Sequence, residues 1–162
     1  MKIKSLDFRK IVLTVYFVSF AVFLLVGLTP AGAIDYDVSG RLLIPSISLD
    51  ADVTKIEIED GRLNTPDLIV GSYDSAPNKT FLVGHASAVF QNLKNVQVGD
   101  EIKYGEDKYV VKNTTVLEKS EIRMRKLLKA ADVKTLVIMT CSGEDLGNGD
   151  ASHRLILTAE VV

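Results

Sequence analysis

The chain is short of the residues that commonly staple or metallate a small domain, with one cysteine and two histidines in 162 residues. A single cysteine has no partner within the chain, so no internal disulfide framework holds the fold. No low-complexity run and no internal repeat is present, which excludes an array architecture. Excess charge is lacking too. Nineteen Lys and Arg stand against 21 Asp and Glu, a formal net charge of -2, and this argues against nucleic acid as the main partner. What is there is ordinary for a folded domain: 47% hydrophobic and 25% charged residues fit one globular domain with a buried core, preceded by an apolar N-terminal segment.

That segment follows Lys2, Lys4, Arg9 and Lys10 and runs from residue 11 to 28, broken by Thr14, Ser19 and Gly27. A helix needs about 20 apolar residues to cross a bilayer, and flanking cations hold the short end inside. The expectation is a cytoplasmic tail over residues 1–10, a transmembrane anchor over 11–28, a linker over 29–40 and a folded extracytoplasmic domain over 41–162. Ala31-Gly-Ala33 has the small-x-small form of a cleavage site, so a removed signal peptide is the rival reading. Either way the domain is exported, to a compartment where thiols usually pair.

Beyond Gly40 the pattern is that of strands. Residues 41–49, 53–58, 80–83, 101–104, 108–117, 136–141 and 155–162 are short runs rich in Val, Ile, Leu, Thr and Tyr, separated by turn residues. Glu59-Asp-Gly61-Arg62 and Tyr104-Gly-Glu-Asp107 carry the glycine and acidic residues of tight hairpins. Helical pattern is limited to residues 88–96 and 120–131, the latter with Ser120 as its N-cap. Many short strands and few helices imply an all-β fold with minor helices, a closed barrel or a sandwich.

Cys141 ends the apolar run Thr135-Leu-Val-Ile-Met-Thr-Cys141, just before a Gly-rich polar stretch that leads to Arg154. That placement suggests a nucleophile. A free thiol is only slightly ionised at neutral pH, so a base and an oxyanion donor are required. His85 closes the short apolar run Phe81-Leu-Val-Gly-His85, and His153 directly precedes Arg154. Because side chains alternate across a strand, only one of His153 and Arg154 can face Cys141. We assign that face to Arg154 and the base to His85.

With these residues the chain resembles the sortases, cysteine transpeptidases of bacterial cell surfaces, over roughly residues 41–162. Leu43-Ile-Pro45-Ser-Ile47 and Asp50-Ala-Asp-Val53 are similar to the family's opening strands. Val83-Gly-His85-Ala-Ser87 resembles its histidine motif, and Phe90-Gln-Asn-Leu93 with Val98-Gly-Asp100-Glu-Ile102 the segment that follows it. Ile138-Met-Thr140-Cys141 matches its Leu-x-Thr-Cys with one aliphatic swap, and Arg154 stands where its arginine would. The surroundings of Pro77, His85 and Phe90 are similar to the smaller class E and F members.

The resemblance implies a closed β-barrel and acyl transfer on a Leu-Pro-x-Thr-Gly-like sorting motif of secreted surface proteins. Cys141 would form a thioester, His85 would move protons, Arg154 would donate to the oxyanion, and Thr140 would help shape the substrate pocket. The acyl group would pass to an amine, such as that of a cell-wall precursor or a pilin lysine. The stretch from 142 to 152 is expected to form a loop that partly closes the site. No cofactor is expected. Glu144, Asp145 and Asp150 could offer oxygen to calcium, but their spacing does not fit an EF-hand, and Glu57, Glu59 and Asp60 only loosely echo a family calcium site.

Two other classes stay open. Another cysteine acyl-transfer enzyme or peptidase would also place histidine before cysteine, although neither the Ser-x-Gly-Cys-x-Arg of cell-wall L,D-transpeptidases nor the Gln-Ala-Cys of caspases occurs. The other is a non-catalytic surface β-domain in which Cys141 is inert core. Arg123, Arg125, Lys126 and Lys129 read as the wet face of a helix.

Overall fold

Period-two alternation of apolar side chains builds the barrel, since each strand can then give one face to a common interior. The computed structural model describes residues 36–59, 62–147 and 150–162. The anchor expected over residues 11–28 lies outside the described residues, as do the tail before it and most of the linker. No helix among the described residues is long and apolar enough to cross a membrane.

Eight strands close into one ring: β1 (Val38–Ile44), β2 (Leu49–Lys55), β5 (Val70–Ala76), β6 (Lys79–Val83), β9 (Thr135–Gly147), β10 (Asp150–Val161), β8 (Asp107–Glu118) and β7 (Glu101–Tyr104), which pairs back onto β1. β3 (Ile58–Glu59) and β4 (Arg62–Leu63) form a separate small ribbon. Most neighbours are antiparallel, but β2 with β5 and β6 with β9 run parallel. The interior takes at least one residue from every strand of the ring, among them Leu42, Val53, Val70, Leu82, Ile102, Val111, Ile138 and Leu157, all fully buried. Phe90, Leu93 and Val96, from the turns after β6, join the same cluster.

β6, β9 and β10 are apolar on both faces. Their outer residues Phe81, Val83, Val137 and Ile156 form a second buried cluster, covered by Ile56, Leu63, Ile122, Met124, Leu127 and Leu128. This double burial explains their nearly unbroken apolar sequences.

The expected strand over 41–49 is two strands. Pro45 opens a 3-10 turn, Pro45–Ile47, closed by Ser48 in the left-handed region at φ 53°, because proline supplies no N–H for a continuing ladder. The expected run 53–58 ends its main strand at Lys55, and Ile58 belongs to β3. β5 was not expected from the sequence, since Val-Gly-Ser-Tyr-Asp-Ser-Ala lacks a β-branched run. The Tyr104–Asp107 hairpin forms, with Gly105 at φ 60°. Around residues 60 and 61, which are outside the described residues, β3 pairs with β4 as the other hairpin signal implies.

Neither expected helix forms at length. Residues 88–96 are turns with one 3-10 segment, Leu93–Asn95. Residues 119–128 hold a 3-10 turn, Lys119–Glu121, and a single-turn helix α1, Met124–Leu127. Ser120 is not the cap; Glu118 and Glu121 bond each other's backbone in a capping box. The apolar residues of the second stretch, Ile122, Met124, Leu127 and Leu128, are instead drawn onto the outer face of the barrel. Nor do the described residues of the stretch 142–152 form an irregular loop. β9 continues to Gly147 and β10 begins at Asp150, pairing Asp150 with Gly147 and Ala151 with Asp145 through two register shifts.

Leu157 is fully buried in the interior cluster. Leu157→Ala should cost about 2–5 kcal/mol, the range for a truncated core leucine, read as a lowered urea midpoint with an unchanged m-value.

Candidate active site

The parallel pairing of β6 and β9 fixes the site. Val83 lies opposite Met139, so two residues further along each chain His85 and Cys141 emerge at the same end of the barrel. Alternation then sets the faces. His85 follows Phe81 and Val83, Cys141 follows Val137 and Met139, and Arg154 precedes Ile156, all on the outer face. Arg154 is also the direct antiparallel partner of Cys141.

His85 is held by its backbone. Its carbonyl accepts from the N–H groups of Ala88 at 3.1 Å and Phe90 at 3.0 Å, which curls the chain away from β6. Gly84 makes this curl fit, because a Cβ there would lie 2.6 Å from Val89 Cγ1 and 2.8 Å from Phe90 Cδ2. Thr140, named above as a pocket residue, points inward and is buried. Its hydroxyl donates to the Gly84 carbonyl at 2.7 Å, tying the histidine turn to the cysteine strand. The His85 side chain is 38% exposed, and its Nε2 stands 4.0 Å from Asp67 Oδ1.

Cys141 is half-buried and unpaired. It lies where two recesses meet. One is a largely apolar cleft of about 640 Å³ with Leu63, Val83, Ile122, Met124, Leu128 and Met139 in its walls, and His85, Thr140, Cys141 and Arg154 also line it. The other, about 300 Å³, has a larger polar share and includes His85, Ser87, Cys141, Ser142, Asp145 and Asp150. A thiol so placed is open to both recesses.

Arg154 is nearly covered, its side chain 14% exposed. Nη1 donates to the carbonyls of Ala151 at 2.8 Å and His153 at 2.9 Å, and Nη2 donates to Asp150 Oδ1 at 2.7 Å. Asp150 also takes the Lys119 ammonium and the Ala151 N–H, at 2.9 Å. These donors, the lysine first, hold its carboxyl well below the usual carboxylate range. Asp150, whose oxygens could serve calcium, gives them to two cations of the chain instead. Among the described residues no group of three His, Cys, Asp or Glu could hold a metal ion. Asp60 lies outside the described residues.

His153 is elsewhere. Its Nδ1 bonds Ser152 Oγ at 2.7 Å, and the ring lines a different recess with Glu118, Ser120 and Leu146. The structure therefore brings together His85, Thr140, Cys141 and Arg154 and separates His153. Sequence reasoning missed the parts played by Asp150, Gly84 and the residues from Ile122 to Leu128. The cations Arg123, Arg125, Lys126 and Lys129 are exposed as expected, but the apolar residues between them form a cleft wall. The four-residue spacing of Asp150 from Arg154 gave no signal, because only the register shifts at the start of β10 bring the two together.

The Sortase domain family model matches residues 42–162. Sortase C-1 from Actinomyces oris is 28% identical with a TM-score of 0.60, covering 80% of this chain and 74% of its own. The lid mutant of sortase A from Corynebacterium diphtheriae is 23% identical with a TM-score of 0.62, covering 80% and 73%. Sortase A from Listeria monocytogenes is 18% identical with a TM-score of 0.59, covering 77% and 87%. Comparison with curated proteins gives no match.

The lowered carboxyl of Asp150 sets a sign for acid stability. A depressed carboxyl adds stability above the unfolded value, about 3.9, and loses it as pH falls through the folded value. The melting temperature of the wild type should therefore exceed that of Asp150→Asn by a constant margin above about pH 5 and converge with it in acid. A margin that is flat with pH would contradict the assignment.

Proposed function

Because the chain belongs to the sortase family of cysteine transpeptidases, we propose that it cleaves a Leu-Pro-x-Thr-Gly-like motif between Thr and Gly and transfers the acyl group to an amine. The observation that carries this reading is the meeting of Cys141, His85 and Arg154 on one cleft, with Cys141 also lining a second, more polar recess.

The Cys141 thiolate adds to the threonine carbonyl, and the C=O electrons move onto oxygen. Arg154, whose guanidinium is fixed by its backbone and Asp150 contacts, donates to that oxyanion. Collapse breaks the C–N bond, and His85 gives its proton to the departing glycine amine. The thioester is then attacked by the acceptor amine, His85 takes the surplus proton, and the thiolate leaves. Apolar walls suit the leucine and proline of the motif, while Ser87, Ser142 and Asp145 suit an entering cation or amine. Thr140 shapes the pocket through its bond to Gly84 rather than by offering a free hydroxyl.

In this reading residues 11–28 anchor the protein in the membrane with the catalytic domain outside, where secreted surface proteins and wall-precursor or pilin amines are met. The likeness around Pro77, His85 and Phe90 to class E and F members belongs to the same proposal.

Intact-mass analysis with a sorting-motif peptide tests it. The wild type should accumulate a thioester adduct on Cys141, and Cys141→Ala should form none while melting normally. His85→Ala and Arg154→Ala should each lower transpeptidation by about 10²-fold or more. His153→Ala should stay near the wild-type rate; a loss confined to that variant would reassign the base.

A further inference from the structure

Arg154 does not reach its position by strand pairing alone. It is nearly covered, and a covered guanidinium is costly unless its donors are matched. Two Nη1 donors are matched by carbonyls of its own strand, Ala151 and His153, and among the described residues the only carboxylate bonded to it is Asp150, four residues earlier. A regular strand would carry those two residues about 13 Å apart. They meet because register shifts between Asp150 and Ala151 and between Ala151 and His153 bend the start of β10. Lys119, from the turn after β8, closes on the second oxygen of the same carboxylate and also lines the cleft.

We propose that Asp150 is a positioning residue of the transpeptidase, holding the Arg154 fork at the height of Cys141 and fastening it through Lys119 to the far wall of the cleft. This rests on the function proposed above for Arg154. Asp150 Oδ1 takes both the Arg154 Nη2 donor and the Ala151 N–H, so one oxygen fixes the side chain and the bend that brings it there. Oδ2 takes Lys119, so the other oxygen links strand β10 to the segment that carries Ile122 and Met124. Asp150 touches no reacting atom. Its effect passes through Arg154, and misplacing an oxyanion donor by an ångström costs far more in rate than in binding.

The test is a double-mutant cycle on the full chain, read by transpeptidation of a sorting-motif peptide. Asp150→Ala should lower kcat by about 10-fold or more with KM little changed. Asp150→Asn, which keeps an oxygen for Arg154 and Ala151, should recover most of that loss. Adding Asp150→Ala to Arg154→Ala should cause almost no further loss, since both remove one function. Additive losses, or an Asp150→Ala defect confined to melting temperature, would overturn the proposal.

A second measurement needs no substrate. The Arg154 Nη–H signals in nitrogen-edited NMR should be resolved in the wild type and in Asp150→Asn, where an oxygen acceptor still restricts rotation about Cζ–Nε, and averaged in Asp150→Ala. Signals equally resolved in the alanine variant would overturn the proposal. Should the wild type form no thioester, the function assigned to Arg154 fails, while these signals still decide whether Asp150 holds the guanidinium.

Discussion

The parallel ladder between β6 and β9 is the constraint on which the site depends. An antiparallel pair would send one of His85 and Cys141 to each end of the barrel; the parallel pair delivers both to one end. Parallel neighbours need a long crossover, and here residues 84–134 supply it, carrying β7 and β8 round the ring before the chain returns as β9. Where the regular ladder stops, the Thr140 hydroxyl bonds the Gly84 carbonyl and extends the coupling by one step. Without a side chain at Gly84, Phe90 can close over it and join the interior cluster. The histidine is thus fixed between a strand and a fully packed aromatic ring, not carried on a free loop.

Much of this was legible because alternation is a local property. The runs ending at His85 and Cys141 and the run starting at Arg154 each reveal which residues share a face, and parity shows that only one of His153 and Arg154 can face Cys141, while the register across β9 and β10 decides which. The structure separates the two as that parity requires, with Arg154 opposite Cys141 and His153 opposite Ser142. The hairpin at Gly105 was legible for a similar reason, since a positive φ in a two-residue turn selects glycine.

Other parts were not legible because they depend on what lies across the fold. β5 is held as a strand by β2 on one side and β6 on the other, and Gly71 sits beneath Ile56 and Pro66, none of which its own composition announces. Ile122, Met124, Leu127 and Leu128 have helical spacing, yet they form one turn and a wall because the outer face of β6 and β9 offers them more burial than a long helix would. The Gly-rich stretch after Cys141 looks like a loop, but its residues pair across a bulged hairpin. That bulge is also what hid Asp150. Four residues of regular strand would put it out of reach of Arg154, so its acidic character suggested a cation site and not an internal clamp.

The hairpin neck answers a difficulty that any site of this kind faces. The oxyanion donor proposed for Arg154 must be withdrawn from water to be effective, yet withdrawal of a guanidinium is unfavourable unless its remaining donors are engaged. β10 meets both demands by bending. The bend turns the Ala151 and His153 carbonyls and the Asp150 carboxylate toward Nη1 and Nη2, so that the charge is matched by groups that cannot themselves react. The strand then straightens, and Leu155 and Leu157 return to the interior as though no interruption had occurred. Register is therefore locked on one side of Arg154 by the core and on the other by the clamp. A guanidinium held from both sides can be presented to the cleft at low reorganisation cost, which is the property an electrostatic donor needs most.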